Sequence, residues 1–235
     1  MTYLTVVAGH VQAQCLCCAP TPAQMDAVQA ALEAVMASLG LQPEQVQTDH
    51  GPCFLGAEEG SRLAVPGRLT LWLASLGIAH RFIPVRQPHR NGAVERFHGA
   101  VEASWRGEAG GLEALRQVWN VEKPGLDAAH QPYHGTAGSR LERVWALLGE
   151  VQVERRVDSQ GKCGLFGRPL RVGMAAAGQE VVIRFDAARR LVVVEDAHAA
   201  VLRELVLEWL TLDWLWEAVP LSAQAVNSSD SSTPR

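Results

Sequence analysis

The chain has 235 residues, 48% of them hydrophobic, which is enough for one large domain or for a medium domain with a small one. This composition can bury a sizeable core, so it excludes a chain that is disordered throughout. The formal net charge of −4 argues against a protein that coats nucleic acid over its whole surface. No apolar stretch reaches membrane-spanning length, and the five irregularly spaced cysteines suit a reducing compartment, so we expect a cytoplasmic protein.

The first part of the chain alternates predicted strands and helices. Residues 4–18 are rich in Val, Leu and Cys and predict one or two buried strands. A helix is predicted from an N-cap at Thr21 to Gly40, and residues 45–48 predict a short strand that ends at Asp49. A strand, a helix and a second strand followed by polar residues are typical of an α/β sheet, in which sites gather where strands end.

A second helix and strand follow a polar loop. Residues 69–76 predict a short apolar helix closed by Gly77, and residues 78–85 predict a further strand. Residues 87–92 contain Pro and Gly, which punctuate the chain and predict a loop. The helix predicted after this loop carries Glu95 on its more polar face.

The pattern changes beyond residue 151 to short β-rich runs separated by glycine, and such runs predict a small β-barrel or sandwich. These runs are residues 151–157, 164–172, 180–185 and 191–195. The Trp-rich stretch 209–216 indicates core or interface packing rather than a platform for stacking bases. The Ser-rich end, residues 222–235, predicts disorder.

Basic residues are concentrated in two segments. Residues 81–106 contain five arginines against two acidic residues, and residues 154–190 contain eight Lys or Arg against four Asp or Glu. Local clusters of this kind favour contacts with phosphates. Ordinary solvated faces explain the charge distribution equally well if no other signal is considered.

Three separated motifs occur in a fixed order: TDHGP at 48–52, LWLASLGI at 71–78 and QPHRNGAVERFH at 87–98. Together they resemble the integrase core of the retroviral-integrase superfamily, especially the DDE transposases of bacterial insertion sequences. Residues 120–124 and 153–194 are similar to the segments that follow this core. The resemblance implies an α/β fold, with an RNase H-like core that lacks its first strand and a small C-terminal β-barrel.

The resemblance also implies a division of the chain and a chemistry. The domains would be a partial catalytic core, a connector, a β-barrel and a tail, at residues 1–106, 107–150, 151–221 and 222–235. In the family, three carboxylates hold two Mg²⁺ or Mn²⁺ ions that promote phosphodiester strand transfer on transposon ends and target DNA. Asp49 and Glu95 would be catalytic metal ligands, and self-association would accompany DNA binding. The residues implied as DNA contacts are Arg86, Arg90, Asn91, Arg96, Arg155, Arg156, Arg168 and Arg171.

Several features depart from the family pattern. The family's first carboxylate lies upstream of the segment that matches residues 4–18, and no acidic residue precedes Asp26. His50 stands where Asn is usual, and no helix-turn-helix for reading transposon ends is present. Taken singly, Asp49 could be a turn residue and Glu95 a first-turn helix carboxylate.

The sequence therefore predicts a transposase-related protein with an incomplete catalytic site. One alternative is a non-catalytic DNA-binding or assembly module derived from a transposase. Another is a nuclease of RNase H type that acts on other substrates, although this alternative does not account for the β-rich C-terminal region.

Overall fold

The structure is a computed structural model in which the chain forms two compact units. The first comprises Met1–Cys53, Arg81–Gly135 and Glu217–Arg235, and the second comprises Phe54–His80 and Thr136–Trp216. The described residues are 3–8, 13–18, 25–50, 54, 65–84, 92, 95, 99, 103 and 131–217. The mixed α/β character expected from the sequence is confirmed. Within these residues, no helix has the length and apolar character needed to cross a membrane.

The first unit contains a β-hairpin, a helix and short strands. Strands β1 (Tyr3–Ala8) and β2 (Ala13–Cys18) pair antiparallel, so the segment predicted as one or two strands forms two. Helix α1 (Met25–Leu39) is followed by β3 (Leu41–Gln42), which pairs with β6 (Gln131–Pro132), and by β4 (Gln45–Thr48). The predicted strand at 45–48 is therefore confirmed, whereas the predicted helix start at Thr21 lies outside the described residues.

Helix α1 buries one apolar side because its Val, Ala, Leu and Met residues recur at helical spacing. The buried residues of that side are Val28, Ala31, Leu32, Val35 and Met36. The helix ends just before Gly40, as the sequence predicts, and the Gly40 carbonyl accepts a hydrogen bond from the Tyr133 N–H at 3.0 Å. Burial, with a smaller contribution from the Glu33 carboxylate, raises the pKa of the Tyr133 hydroxyl to about 12.

The described part of the second unit contains three α-helices and most of the described β structure. Its helices are α2 (Arg68–Leu76), α3 (Leu141–Gly149) and α4 (Leu212–Trp216), and β5 (Ala79–Phe82) crosses the boundary into the first unit. Its remaining strands are β7 (Gln152–Arg156), β8 (Lys162–Leu165), β9 (Arg168–Arg171), β10 (Glu180–Asp186), β11 (Leu191–Glu195) and β12 (Val201–Val206).

These strands form an open antiparallel sheet and a separate hairpin. The sheet order is β12-β11-β10-β7, and Ile183 on β10 lies opposite both Val194 and Val153. Strands β8 and β9 pair with each other rather than bridging β7 to β12. The predicted small β-barrel is therefore not confirmed, because β7 and β12 remain edge strands of an open sheet in the described part of the chain.

Helix α2 is the centre of the core of the second unit. Its Leu69, Leu71, Trp72 and Leu73 side chains have no exposed surface, as expected for a helix that is apolar all round. It packs against α3, and the Trp72 ring meets the Trp216 ring of α4 edge-on at 5.6 Å between centroids. Together these contacts make the helices one layer of a shared hydrophobic core.

The C-terminal end of α2 is held by α3. The Ser75 carbonyl accepts hydrogen bonds from the Arg140 N–H at 2.8 Å and from the Arg143 guanidinium at 3.0 Å. A cation at a helix C-terminus satisfies orphan carbonyls and interacts favourably with the helix dipole. On its other side α3 packs against the inner face of the sheet, where Trp145 meets Phe185 at 6.5 Å between ring centroids.

His80 on β5 is partly buried, and burial lowers the pKa of its imidazole from 6.5 to about 4. Its Nδ1 lies 2.8 Å from the Thr70 hydroxyl, so the neutral ring can accept that hydrogen bond. The pKa of His80 is lower in the folded than in the unfolded protein. The neutral ring therefore stabilises the fold, and this stabilisation is complete above about pH 6.5. This contribution is lost as the pH falls from 6.5 through 4.

We expect His80→Gln to remove this part of the pH dependence, since Gln can still accept a hydrogen bond but does not titrate. The single-proton limit is about 1.4 kcal/mol per pH unit, and solvent screening of the partly exposed ring reduces the effect below it. Urea unfolding at pH 7, 6 and 5 measures the change. His198→Gln, at an exposed turn, is the matched control. Parallel stability curves for His80→Gln and the unsubstituted protein between pH 7 and 5 would contradict the expectation.

Candidate nucleic-acid interface

Asp49 lies immediately after β4, at the strand end that the sequence predicts as a site. Beside it, the Thr48 carbonyl accepts a hydrogen bond from the Ile83 N–H at 2.8 Å, and the His50 ring stacks on Phe82 at 5.2 Å. The Asp49 side chain is exposed. Glu95 is also exposed and helical, as predicted for the helix that follows the loop at 87–92. Both carboxylates therefore lie at the surface of the first unit.

Among the described residues, Asp49 and Glu95 are not part of a group that could hold two divalent cations. No three His, Cys, Asp or Glu side chains come together among the residues that the structure describes. Asp49 and Glu95 offer oxygen atoms, the ligand type that Mg²⁺ and Mn²⁺ prefer, but a two-ion site needs more carboxylate ligands than two residues supply. The described residues alone therefore do not supply the ligands for the pair of ions that the resemblance implies.

The predicted DNA contacts fall into two groups. Arg86, Arg90, Asn91 and Arg96 lie outside the described residues. The others, Arg155, Arg156, Arg168 and Arg171, lie on β7 and on the β8–β9 hairpin of the second unit. The geometry of this hairpin therefore decides what the second group can contact.

The hairpin is closed by a two-residue turn at Phe166 and Gly167. Both residues have positive φ, +53° and +73°, as a type I′ turn requires. A phenylalanine is strained in this conformation, because its Cβ crowds the following carbonyl. The Phe166 ring offsets that strain by packing against Trp209 at 5.7 Å and Trp214 at 6.3 Å between centroids. The turn is thus fixed by tertiary packing rather than by a typical turn residue.

Two cations face each other across the hairpin. Lys162 lies directly opposite Arg171 in the antiparallel register, and like charges in this position destabilise a strand pair. In the described part of the chain neither side chain has a carboxylate within ion-pair distance. The Lys162 ammonium donates a hydrogen bond to Gln160 at 3.0 Å, and the Asp158 carboxylate accepts backbone N–H groups of its own loop instead.

Arg168 is a third cation of this hairpin, and its side chain is exposed. It lies at the turn end and on the other face, opposite Leu165 in the register. Its guanidinium carbon lies 4.9 Å from the centroid of the Trp209 ring, a cation–π distance. Among the described residues it has no ion-pair partner. We refer to Lys162, Arg168 and Arg171 as the hairpin cations.

Arginines of the neighbouring sheet are neutralised by carboxylates. Arg184 pairs with Glu195 at 3.0 Å, and Arg190 pairs with Glu142 at 2.6 Å. Arg189 donates to Glu204 at 2.8 Å, and this hydrogen bond lowers the pKa of the Glu204 carboxyl. These three arginines are therefore less available to an external anion than the hairpin cations.

The remaining arginines of the sheet are Arg155, Arg156 and Arg203. Arg155 donates from Nε to the Gly164 carbonyl at 3.0 Å, which ties β7 to β8. Arg156 is exposed but lies opposite Glu180 in the register. Arg203 is exposed on β12, at the edge of the sheet opposite β7.

Sequence reasoning did not single out Lys162 as a contact residue. Its position opposite Arg171 becomes visible only once the hairpin turn is placed at Phe166 and Gly167. Phenylalanine is not a residue that normally signals such a turn.

No protein-family model matches the chain.

Proposed function

We propose that the chain is a DNA-binding protein related to integrase-type transposases of bacterial insertion sequences. On this proposal residues 1–106 correspond to the family's RNase H-like core, marked by Asp49 and Glu95, and the β-rich part of the second unit corresponds to the family's C-terminal barrel. The three ordered motifs at 48–52, 71–78 and 87–98 support the family relationship. The role itself is contact with the phosphodiester backbone of duplex DNA.

The observation that carries the proposal is the separation of paired and unpaired cations in the second unit. Arg184, Arg189 and Arg190 are ion-paired, whereas the hairpin cations have no carboxylate partner in the described part of the chain. Cations that repel each other and lack acidic partners gain most from binding a polyanion. Because Lys and Arg side chains contact phosphates through charge and N–H donors, such contacts position a duplex without reading its sequence.

The hairpin cations support the non-catalytic DNA-binding or assembly module as the form of the proposal, because their charges can contact phosphates without a catalytic group. Among the described residues no third acidic or His/Cys side chain joins Asp49 or Glu95 in a cluster.

We expect the purified protein to bind unrelated 30-base-pair duplexes with affinities that agree within about tenfold, because phosphate contacts carry little sequence information. Competition measured by fluorescence anisotropy, with one labelled duplex and unlabelled duplexes of different sequence, tests this expectation. Single-stranded RNA of the same length is the comparison ligand, and its displacement of the duplex at equal or lower concentration would contradict the choice of duplex DNA. Selective binding to one short sequence would contradict sequence-independent backbone contact.

A further inference from the structure

We infer that Trp209 is a positioning residue that holds the Arg168 guanidinium ready for a DNA phosphate. The inference rests on the proposed function and adds a residue that the sequence assigns only to core or interface packing. The Arg168 guanidinium carbon lies 4.9 Å from the Trp209 ring centroid, while Arg168 remains exposed. A guanidinium stacked on a ring keeps its N–H donors at its rim, where they can reach two phosphate oxygens.

The Trp209 ring is itself held on several sides. It meets Trp214 at 5.1 Å and 75°, and Phe166 at 5.7 Å and 73°, both edge-on arrangements that aromatic rings favour. The Arg68 guanidinium lies 5.6 Å from the Trp214 ring centroid, so a second cation packs on this aromatic cluster. A half-buried ring with such neighbours is a fixed surface rather than a mobile one.

Phe166 links this surface to the hairpin. It occupies the turn between β8 and β9, two residues before Arg168, and its ring also meets Phe185 of β10 at 6.1 Å. Phe166 therefore links Arg168, two residues further along the chain, to the Trp209 ring on which it packs. This arrangement sets where the guanidinium lies before any ligand arrives.

Stacking of Arg168 on Trp209 favours DNA binding because it lowers the conformational entropy that the side chain loses on binding. A free arginine side chain has many rotamers, and immobilising one such side chain at an interface weakens binding by about two- to tenfold. Stacking on Trp209 restricts those rotamers in the free protein, so less freedom is lost when a phosphate binds. Trp209 would then influence DNA affinity mainly through Arg168, because Trp214 and Phe185 also hold the Phe166 ring of the turn. This dependence on Arg168 can be measured.

A double-mutant cycle on duplex DNA affinity tests the inference. At fixed salt we expect Trp209→Leu to weaken binding of a 30-base-pair duplex by about two- to tenfold when Arg168 is present. In the Arg168→Gln background the same substitution should change affinity by less than about twofold, because the group that it positions is gone. Trp209→Phe, which keeps an aromatic face, should restore part of the loss. Equal losses in both backgrounds, or no loss in either, would overturn the inference.

Arg168→Lys provides the test without altering the aromatic cluster, in case Trp209→Leu does not fold. Lysine keeps the charge but lacks the planar group that stacks on the ring, so its loss of affinity should match that of Trp209→Leu. Full affinity in Arg168→Lys would overturn the inference. Arg184→Gln is the matched control, since Glu195 already neutralises that arginine. If Arg168→Gln, Lys162→Gln and Arg171→Gln all leave DNA affinity unchanged, the proposed function fails. If these substitutions weaken binding but the effect of Trp209→Leu does not depend on Arg168, only the positioning role fails.

Discussion

Replacing Gly161 by alanine is expected to lower the free energy of unfolding by about 2–5 kcal/mol, the sum of a backbone and a packing cost. Gly161 has φ +72°, which disfavours any residue with a Cβ. An added Cβ would lie 2.5 Å from the Gly173 carbonyl carbon and 2.7 Å from the Met174 nitrogen. Both are backbone atoms, so they cannot move aside as the end of a side chain can.

The close approach around Gly161 is held by hydrogen bonds. Its carbonyl accepts the N–H groups of Val172 and Gly173, both at 2.9 Å, and its own N–H donates to the Asp158 carbonyl. This local network joins the loop before β8 to the end of β9. Relief of the clash would therefore require these hydrogen bonds, at the open end of the hairpin, to lengthen.

Gly167→Ala is the matched control for this substitution. Gly167 has almost the same φ, +73°, but a Cβ there would meet no atom within 4 Å. We expect Gly167→Ala to lower the free energy of unfolding by the backbone cost alone, about 1–2 kcal/mol. Chemical denaturation of both variants, followed by tryptophan fluorescence, measures the difference. Equal destabilisation of the two would contradict the close backbone packing at Gly161.

Removing the charge of all three hairpin cations is expected to weaken duplex DNA binding on the order of 100-fold at 0.1 M salt. The variant is Lys162→Gln, Arg168→Gln and Arg171→Gln together. Each lost phosphate contact forfeits the release of counterions, which supplies most of the free energy of sequence-independent binding. The substitution of Lys162 and Arg171 also removes a cross-strand repulsion, so we expect the fold to be retained or slightly stabilised.

The control variant changes the net charge equally at paired positions. Replacing Arg184, Arg189 and Arg190 by Gln removes three charges that Glu195, Glu204 and Glu142 already neutralise. Its affinity should fall by less than about fivefold, because salt screens charges that do not touch the DNA. Equal losses in the two triple variants would show that net charge, rather than the hairpin, governs binding.

Much of the local structure follows from sequence patterns. The strand at 45–48 is bounded by a proline before it and a polar turn after it, and the structure has β4 at those residues. The apolar run closed by Gly77 gives α2, displaced by one residue at its start. Strand β11 occupies the predicted residues 191–195, and β10 extends one residue beyond its predicted end. In each case a strong local pattern agrees with the packing.

Tertiary packing decides the elements that sequence reasoning missed. Residues 164–172 predict one β run, yet they contain a turn, because the Phe166 ring packs on Trp209 and Trp214 and so stabilises an unfavourable backbone conformation. Strand β12 carries adjacent charges and exposed apolar residues, so it shows no clean alternation. It is held as a strand by pairing with β11.

The sequence also predicts only part of the candidate site. The position of Asp49 at a strand end and of Glu95 on a helix follows from the motifs, and the structure places both there. Which arginines are already paired with carboxylates cannot be read from the sequence, since Arg190 and Glu142 are 48 residues apart in the chain. Distant pairs of this kind determine which cations remain available for phosphates.

The salt dependence of duplex binding tests the central claim most directly. The measurement is the slope of log K against log salt concentration for the unsubstituted protein and for the variant without the hairpin cations. We expect a steep negative slope for the unsubstituted protein. In the variant the slope should be shallower by about 2.7, since each of the three lost phosphate contacts contributes about 0.9. A slope near zero for the unsubstituted protein, or the same slope for both proteins, would contradict DNA backbone contact through this hairpin.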